Sequence, residues 1–306
     1  MQDVFFSATK NGLKNITSIF DTVWPISVGL WNLRCAVNGI KTQFPEVSER
    51  ELTAKFTLGS GIHGVNYTRA FEQKTWEEQK SDLAWMILNN TFCVFEGWLQ
   101  ELKETVFCDM NQKDLQFPIK ARNEVARLVS TTSSTMKKSF YNIYSNKRER
   151  NYMCIDAWLY CFRVFKETRN CYMHHGKFAR QQLIDAYSDY LPYANCTALD
   201  VSEIPEFFTP NLNDSINISL RGVVGFSHII IKIMVTLDAE LICSIHSETE
   251  FIKRYKEKHP TLRTLKSDTD SANNQICQYV KQAGFCKPEE AEQLKAFLLS
   301  NHLISK

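Results

Sequence analysis

Apolar residues recur along this chain mainly at helical spacing. Trp85, Leu88, Phe92, Phe95, Leu99, Leu102 and Val106 follow one another in steps of three and four, the stripe of a helix that faces another helix. Thr75-Trp76-Glu77-Glu78 stands at its start and has the form of a capping box, in which a hydroxyl and a carboxylate serve the first free N–H groups. Ser48-Glu49-Arg50-Glu51 is a second box, ahead of Leu52 and Phe56. Ile119, Val125, Leu128, Val129, Met136, Phe140 and Ile143 predict one helix from Pro118 to about Tyr144, after a polar link from Asp109 to Phe117. Ile155, Trp158, Leu159, Phe162 and Phe165 predict a helix that begins at Asn151, and Gln181 to Tyr190 another. Val224, Ile231, Val235 and Leu241 predict a long one from Ser219 or Arg221 to about His246.

Elsewhere the pattern is weaker. Asn15 to Trp24 predicts a short helix, and Pro25 suits the first turn of the next. Cys196 to Leu220 contains Pro205 and Pro210, with β-like runs at Ala198–Val201 and Ile216–Leu220, which predicts a small β-hairpin or loop excursion. Thr261 to Asn274 reads as a polar surface linker. Two short helices close the chain, one capped at Gly284 and one starting at Pro288-Glu289-Glu290. The sum is a mainly all-α protein in three parts: an N-terminal helical extension 1–75, a helical core 76–192, and a β-hairpin with C-terminal helices 193–306.

Composition changes this picture in a few places. With 306 residues, 44% hydrophobic and 23% charged, the chain can bury a proper core. A net charge of +2 gives no global basic signature, so RNA binding would need a local patch. The 10 cysteines form no CxxC pair, so neither a zinc site nor a disulfide framework is indicated. Reduced thiols of a cytoplasmic protein are the expectation. Met1 to Phe6 lacks a basic n-region. Neither Thr22 to Leu33 nor Val223 to Ile245 supplies the ~20 uninterrupted apolar residues of a membrane span, so no membrane association is expected. Gly59-Ser60-Gly61-Ile62-His63-Gly64 spells GxGxxG, but it follows a capped helix and not a strand, so it reads as a turn. Helix–turn–helix DNA binding at the C-terminus would set Glu289, Glu290 and Glu292 against phosphate.

The candidate chemistry lies at the end of the helix that starts at Asn151. Arg-Asn occurs three times, and only Arg169-Asn170 is followed at the right spacing by a histidine, His174. On a helix, Asn170 and His174 are i and i+4 and share a face; His175 is the rival imidazole. Arg offers a planar fork matched to phosphate oxygens, and His titrates near neutrality. The same residue types also favour a last helical turn as simple caps. The apolar stripe extended by four lands on Arg169, so that cation emerges from the packed face and needs a carboxylate or phosphate partner. Glu167 is one candidate partner, and a residue from a second subunit is another. Lys147, Arg148 and Arg150, with Lys137 and Lys138, form the densest basic cluster before the motif, and Lys177 and Arg180 add charge after it.

Arg169, Asn170 and His174, followed by Gly176, resemble the motif of the HEPN superfamily (higher eukaryotes and prokaryotes nucleotide-binding domains). The run Phe95 to Leu99 also resembles the first helix of several such domains, and the likeness covers about Thr75 to Tyr190. It implies a HEPN-like helical bundle acting as a homodimer, and metal-independent cleavage of RNA with no cofactor and no metal. His174 would be the acid–base group, Arg169 would stabilise phosphoryl charge, and Asn170 would orient either. Lys147, Arg148, Arg150, Lys177 and Arg180 would contact the substrate. The kind found in bacterial toxin–antitoxin and anti-phage defence systems acts on tRNA or on phage or host mRNA, with an antitoxin or regulatory partner. Some members lack nuclease activity, so a non-catalytic RNA- or nucleotide-binding or scaffold protein is the alternative. One toxin branch carries a modified Tyr two residues after the His; Gly176 stands there, so that control is not expected.

Overall fold

Both capping boxes form. Ser48 Oγ accepts the Glu51 N–H at 3.3 Å while a Glu51 carboxylate oxygen accepts the Ser48 N–H at 2.8 Å, and Thr75 and Glu78 repeat the exchange. The second box launches a helix over Trp76–Lys103 whose stripe, Trp85 to Leu102, is buried. The computed structural model describes residues 4–111, 118–266 and 269–305, and it is all-α. The Trp76–Lys103 helix packs against the N-terminal helix Ser7–Gln43 on one side and the central helix Leu220–Leu241 on another. The motif helix Ile155–His174 also packs on the central helix. Their rings interlock: Phe92 meets Phe162 edge-on at 5.2 Å, and Phe165 stacks on Phe226 at 4.4 Å. Such pairs add to the area-driven burial of the aromatics themselves.

The central helix is buried nearly all round rather than along one stripe. Among the described residues it is the one helix long and apolar enough to cross a membrane, and 67% of its apolar window is buried inside the molecule. Its charges face inward onto partners. Lys232 Nζ lies 3.0 Å from Glu149 and 3.2 Å from Asp200. Asp238 accepts the N–H groups of Phe5 and Phe6 at 2.7 and 3.0 Å, which anchors the start of the N-terminal helix.

Several sequence expectations need correction. The N-terminal segment is one helix of 37 residues with Pro25 inside it, not two helices meeting there. Pro25 is exposed, so the hydrogen bond it forfeits lies on the solvent side. The expected helix from Pro118 to Tyr144 is broken. It ends at Leu128, and a new helical run over 134–145 starts from the N-cap Ser133 and includes a π-helical turn, Lys137–Tyr141. Thr131 Oγ1 donates to the Leu128 carbonyl, the local competition by hydroxyl residues that ends helices, and the Ser133 N–H is drawn off to the Cys243 carbonyl. Part of the polar link from Asp109 to Phe117, residues 112–117, lies outside the described residues, as do 267–268 of the expected linker from Thr261 to Asn274.

The Ala198–Val201 run is not a strand: Cys196–Leu199 is a short helix capped by Asn195, and Asp200 follows with φ 49°. The β structure after the motif is an antiparallel bridge between Phe178 and Ser215. The one two-stranded sheet among the described residues is parallel, Arg263–Thr264 beside Ile304–Ser305. Gly284 ends the Thr269–Gln282 helix with φ 87°, as expected of a glycine C-cap.

Candidate functional site

The motif helix starts from a 3-10 turn capped by Asn151, whose side chain accepts the Met153 N–H. It ends where Gly176 and Lys177 both take positive φ, 63° and 70°. The N–H groups of His175 and Lys177 fold back to the Cys171 carbonyl, so the last turn is closed by its own backbone. The chain then runs antiparallel to 213–216, with the Ile216 N–H donating to the Lys177 carbonyl at 2.8 Å and the Ala179 N–H to that of Asp214 at 2.9 Å. The end of the motif helix is thereby pinned to the segment that follows it.

Asn170 and His174 share a face, as their spacing requires. With Glu167, His175 and Arg180 they line an open pocket of about 400 Å³. Asn170 Nδ2 donates to Glu167 at 3.2 Å, and Arg180 Nη1 donates to Asn213 at 3.3 Å. Both imidazoles are exposed. The pocket thus presents two imidazoles, an amide, a guanidinium and the Glu167 carboxylate to a solvent-borne ligand.

Arg169 is not part of that pocket. Five residues separate it from His174, about 140° around a regular helix, and it turns toward the Trp76–Lys103 helix. Its Nη1 lies 3.4 Å from Glu96 Oε1, and its guanidinium sits 5.4 Å from the Phe92 ring centre. The packed-face origin read from the stripe is correct, but the partner is Glu96 and not Glu167. Arg169 Nε is buried and has no hydrogen-bond partner among the described residues, so this ion pair satisfies the guanidinium incompletely. Beside it, burial pushes the Lys166 amine down, against the pull of the Glu96 and Glu167 carboxylates.

The other basic residues divide. Lys147, Arg148 and Arg150 precede the motif helix, and its 20 residues rise about 30 Å. Closeness in sequence does not bring them to His174. Arg148 pairs with Glu149 at 3.1 Å, Arg150 Nη1 donates to the Arg148 carbonyl, and Lys147 Nζ donates to the Cys286 sulfur at 3.1 Å. Arg180 joins the His174 pocket, whereas Lys177 lies over the Tyr172 ring at 4.6 Å and faces a separate cleft.

Two features escaped sequence reasoning. Glu96 meets Arg169 across 73 residues, and its only local sign is its i+4 position after Phe92. A second charged cluster gathers His228, Glu149, Lys232 and Asp200, with His228 Nε2 2.7 Å from Glu149. His228 and Lys232 are i and i+4 on the central helix, but Glu149 and Asp200 come from other segments that no spacing rule links to it. Glu149 takes φ 71° to reach the cluster. Its carboxyl is buried, which alone would raise its pKa, but the Lys232 and His228 contacts outweigh this and hold it low. Among the described residues no three His, Cys, Asp or Glu side chains converge as a metal site would need. Comparison of the chain with family models, curated proteins and solved structures returned no match.

Proposed function

We propose that this protein is a metal-independent endoribonuclease of the HEPN type, acting as a two-fold dimer. The reading is carried by one observation: Asn170 and His174 stand together in an open pocket with Arg180, at the end of a helix whose Arg169 is held half-buried by a single carboxylate. RNA brings its own nucleophile, the 2′-hydroxyl. His174 would take the 2′-OH proton as the new 2′-O–P bond forms, or return a proton to the 5′-oxygen as the P–O5′ bond breaks. Arginine would stabilise charge on the non-bridging oxygens. The products are a 2′,3′-cyclic phosphate and a 5′-hydroxyl. Acid and base roles together want two imidazoles, and a two-fold axis supplies the second. Arg180 already shares the pocket with His174. Arg169 would have to exchange Glu96 for phosphate, or reach the site of a second copy.

Such an enzyme belongs in the cytoplasm as the toxin of a toxin–antitoxin pair or as an anti-phage effector. Its RNA would be tRNA or phage or host mRNA, and an antitoxin or other regulatory partner would restrain it. The test is cleavage of total RNA and tRNA in EDTA by wild type and His174→Ala. A non-catalytic RNA- or nucleotide-binding or scaffold role is the second reading, favoured by the engagement of Arg169 with Glu96. RNA binding without cleavage by wild type would select it.

A further inference from the structure

A cleft of about 1040 Å³ stands apart from the smaller His174 pocket. It lies between Trp24 of the N-terminal helix, the start of the Trp76–Lys103 helix, and the segment leading into the central helix. Its size is at the upper end of the range of about 300–1,000 Å³ usual for small-molecule sites. Two large aromatics in its wall stand open to water, Trp24 at 41% and Phe208 at 51% exposure. Deeper in, Trp85 stacks on Tyr172 at 3.7 Å, and Lys177 covers the Tyr172 ring. This Lys177–Tyr172–Trp85 stack joins the end of the motif helix to the cleft.

The charges of the lining decide what fits. Lys80 pairs with Glu77 at 2.7 Å, Lys74 with Asp82, and Arg221 with Glu203. Among the described residues Lys177 differs from these, facing a ring and no carboxylate within ion-pair distance. Glu78 and Glu206 also line the cleft, so four acidic side chains stand against four basic ones; it is unsuited to a run of phosphates, and Lys177 is the cation at the rim nearest the motif. Ile216, Asn217 and Ile218 alternate buried, exposed, buried, which sets the Asn217 amide on the cleft wall. A neutral slot with aromatic faces, an amide donor–acceptor and a rim cation matches a planar base with an attached phosphate. Lys177 is three residues beyond His174, so their Cα atoms are within about 11 Å.

We propose that this cleft binds an unpaired nucleobase of RNA, stacked on Trp24 and Phe208, from the nucleotide next to the phosphate held at His174. The inference rests on the ribonuclease reading for the identity of the ligand, but not for its test. The probe is a labelled single-stranded 2′-O-methyl hexauridylate, which has no free 2′-hydroxyl to attack, measured by fluorescence anisotropy on the full-length chain, so that cleavage plays no part. Trp24→Ala and Phe208→Ala are each expected to weaken binding by about five- to a hundredfold, the usual loss for one stacked base. Trp24→Phe is expected to restore most of it. Both side chains are exposed, and circular dichroism checks that the variants keep their helices. Unchanged affinity in Trp24→Ala and Phe208→Ala overturns the proposal, as does the absence of 2′-O-methyl hexauridylate binding by wild type. RNA cleavage by wild type with unchanged Trp24→Ala binding would leave the ribonuclease standing and remove the cleft. The converse, loss of binding in Trp24→Ala with no cleavage by wild type, would support the cleft and remove the nuclease.

Discussion

Arg169 poses the sharpest question about any single side chain. If its contact with Glu96 were only a structural strut, removing it would cost stability and nothing else. The pair is half-buried, 25% and 36% exposed, so it is worth roughly 1 kcal/mol or less. Arg169→Met keeps the packing on Phe92 and is expected to shift the melting temperature little while abolishing RNA cleavage. Equal losses in thermal melts and in cleavage would reduce Arg169 to a strut. Asp238 gives a different kind of test. Burial raises its carboxyl from 3.8 to about 6, against the N–H groups of Phe5 and Phe6, the Thr9 hydroxyl and the Arg150 charge, all of which favour the ionised form. The native state therefore holds this proton more tightly than the unfolded chain. The group's contribution is fully present below pH 3.8 and is lost as pH rises to about 6. Unfolding by urea across pH 4 to 6 is expected to show a flatter profile for Asp238→Asn than for wild type, once the downward-shifted carboxylates common to both are subtracted. A parallel profile would contradict the assignment.

Helices separate what was legible in the sequence from what was not. The stripe from Trp85 to Leu102 and both capping boxes could be read directly, because spacing and caps are local. Pro25 misled. A proline reads as a boundary, yet here the long Ser7–Gln43 helix gains enough against its neighbours to absorb one lost hydrogen bond. Pro25→Ala is thus expected to stabilise the protein by about 1–3 kcal/mol in denaturant melts. A fall in stability would mean that the proline is needed where it stands. The break after Leu128 was illegible for the opposite reason: no glycine or proline marks it, the Thr131 hydroxyl bonds the Leu128 carbonyl, and the Ser133 hydroxyl caps the start of the next helix. At the motif, the i,i+4 pairing of Asn170 with His174 was predictable. The Glu96 partner of Arg169 depends on tertiary placement that no local pattern encodes.

For the molecule as a whole, segments outside residues 76–192 help to build the cleft. Trp24 from the N-terminal helix and Phe208 from the segment after the motif form the walls of one cleft, and the Phe178–Ser215 bridge ties that segment to the end of the motif helix. On the proposed reading, that cleft takes the base adjoining the phosphate at the His174 pocket. If the proposed chemistry draws one acid–base imidazole, His174, from each chain, it requires the two-fold dimer, and cleavage rate per subunit is expected to fall on dilution below the dimer dissociation constant. The most direct test of the central claim is cleavage of total RNA and tRNA by the purified protein in EDTA, compared with His174→Ala. The account expects 2′,3′-cyclic phosphate ends from wild type and a loss of a hundredfold or more in the variant, about the contribution of one acid–base group. Cleavage that persists undiminished in His174→Ala would contradict it.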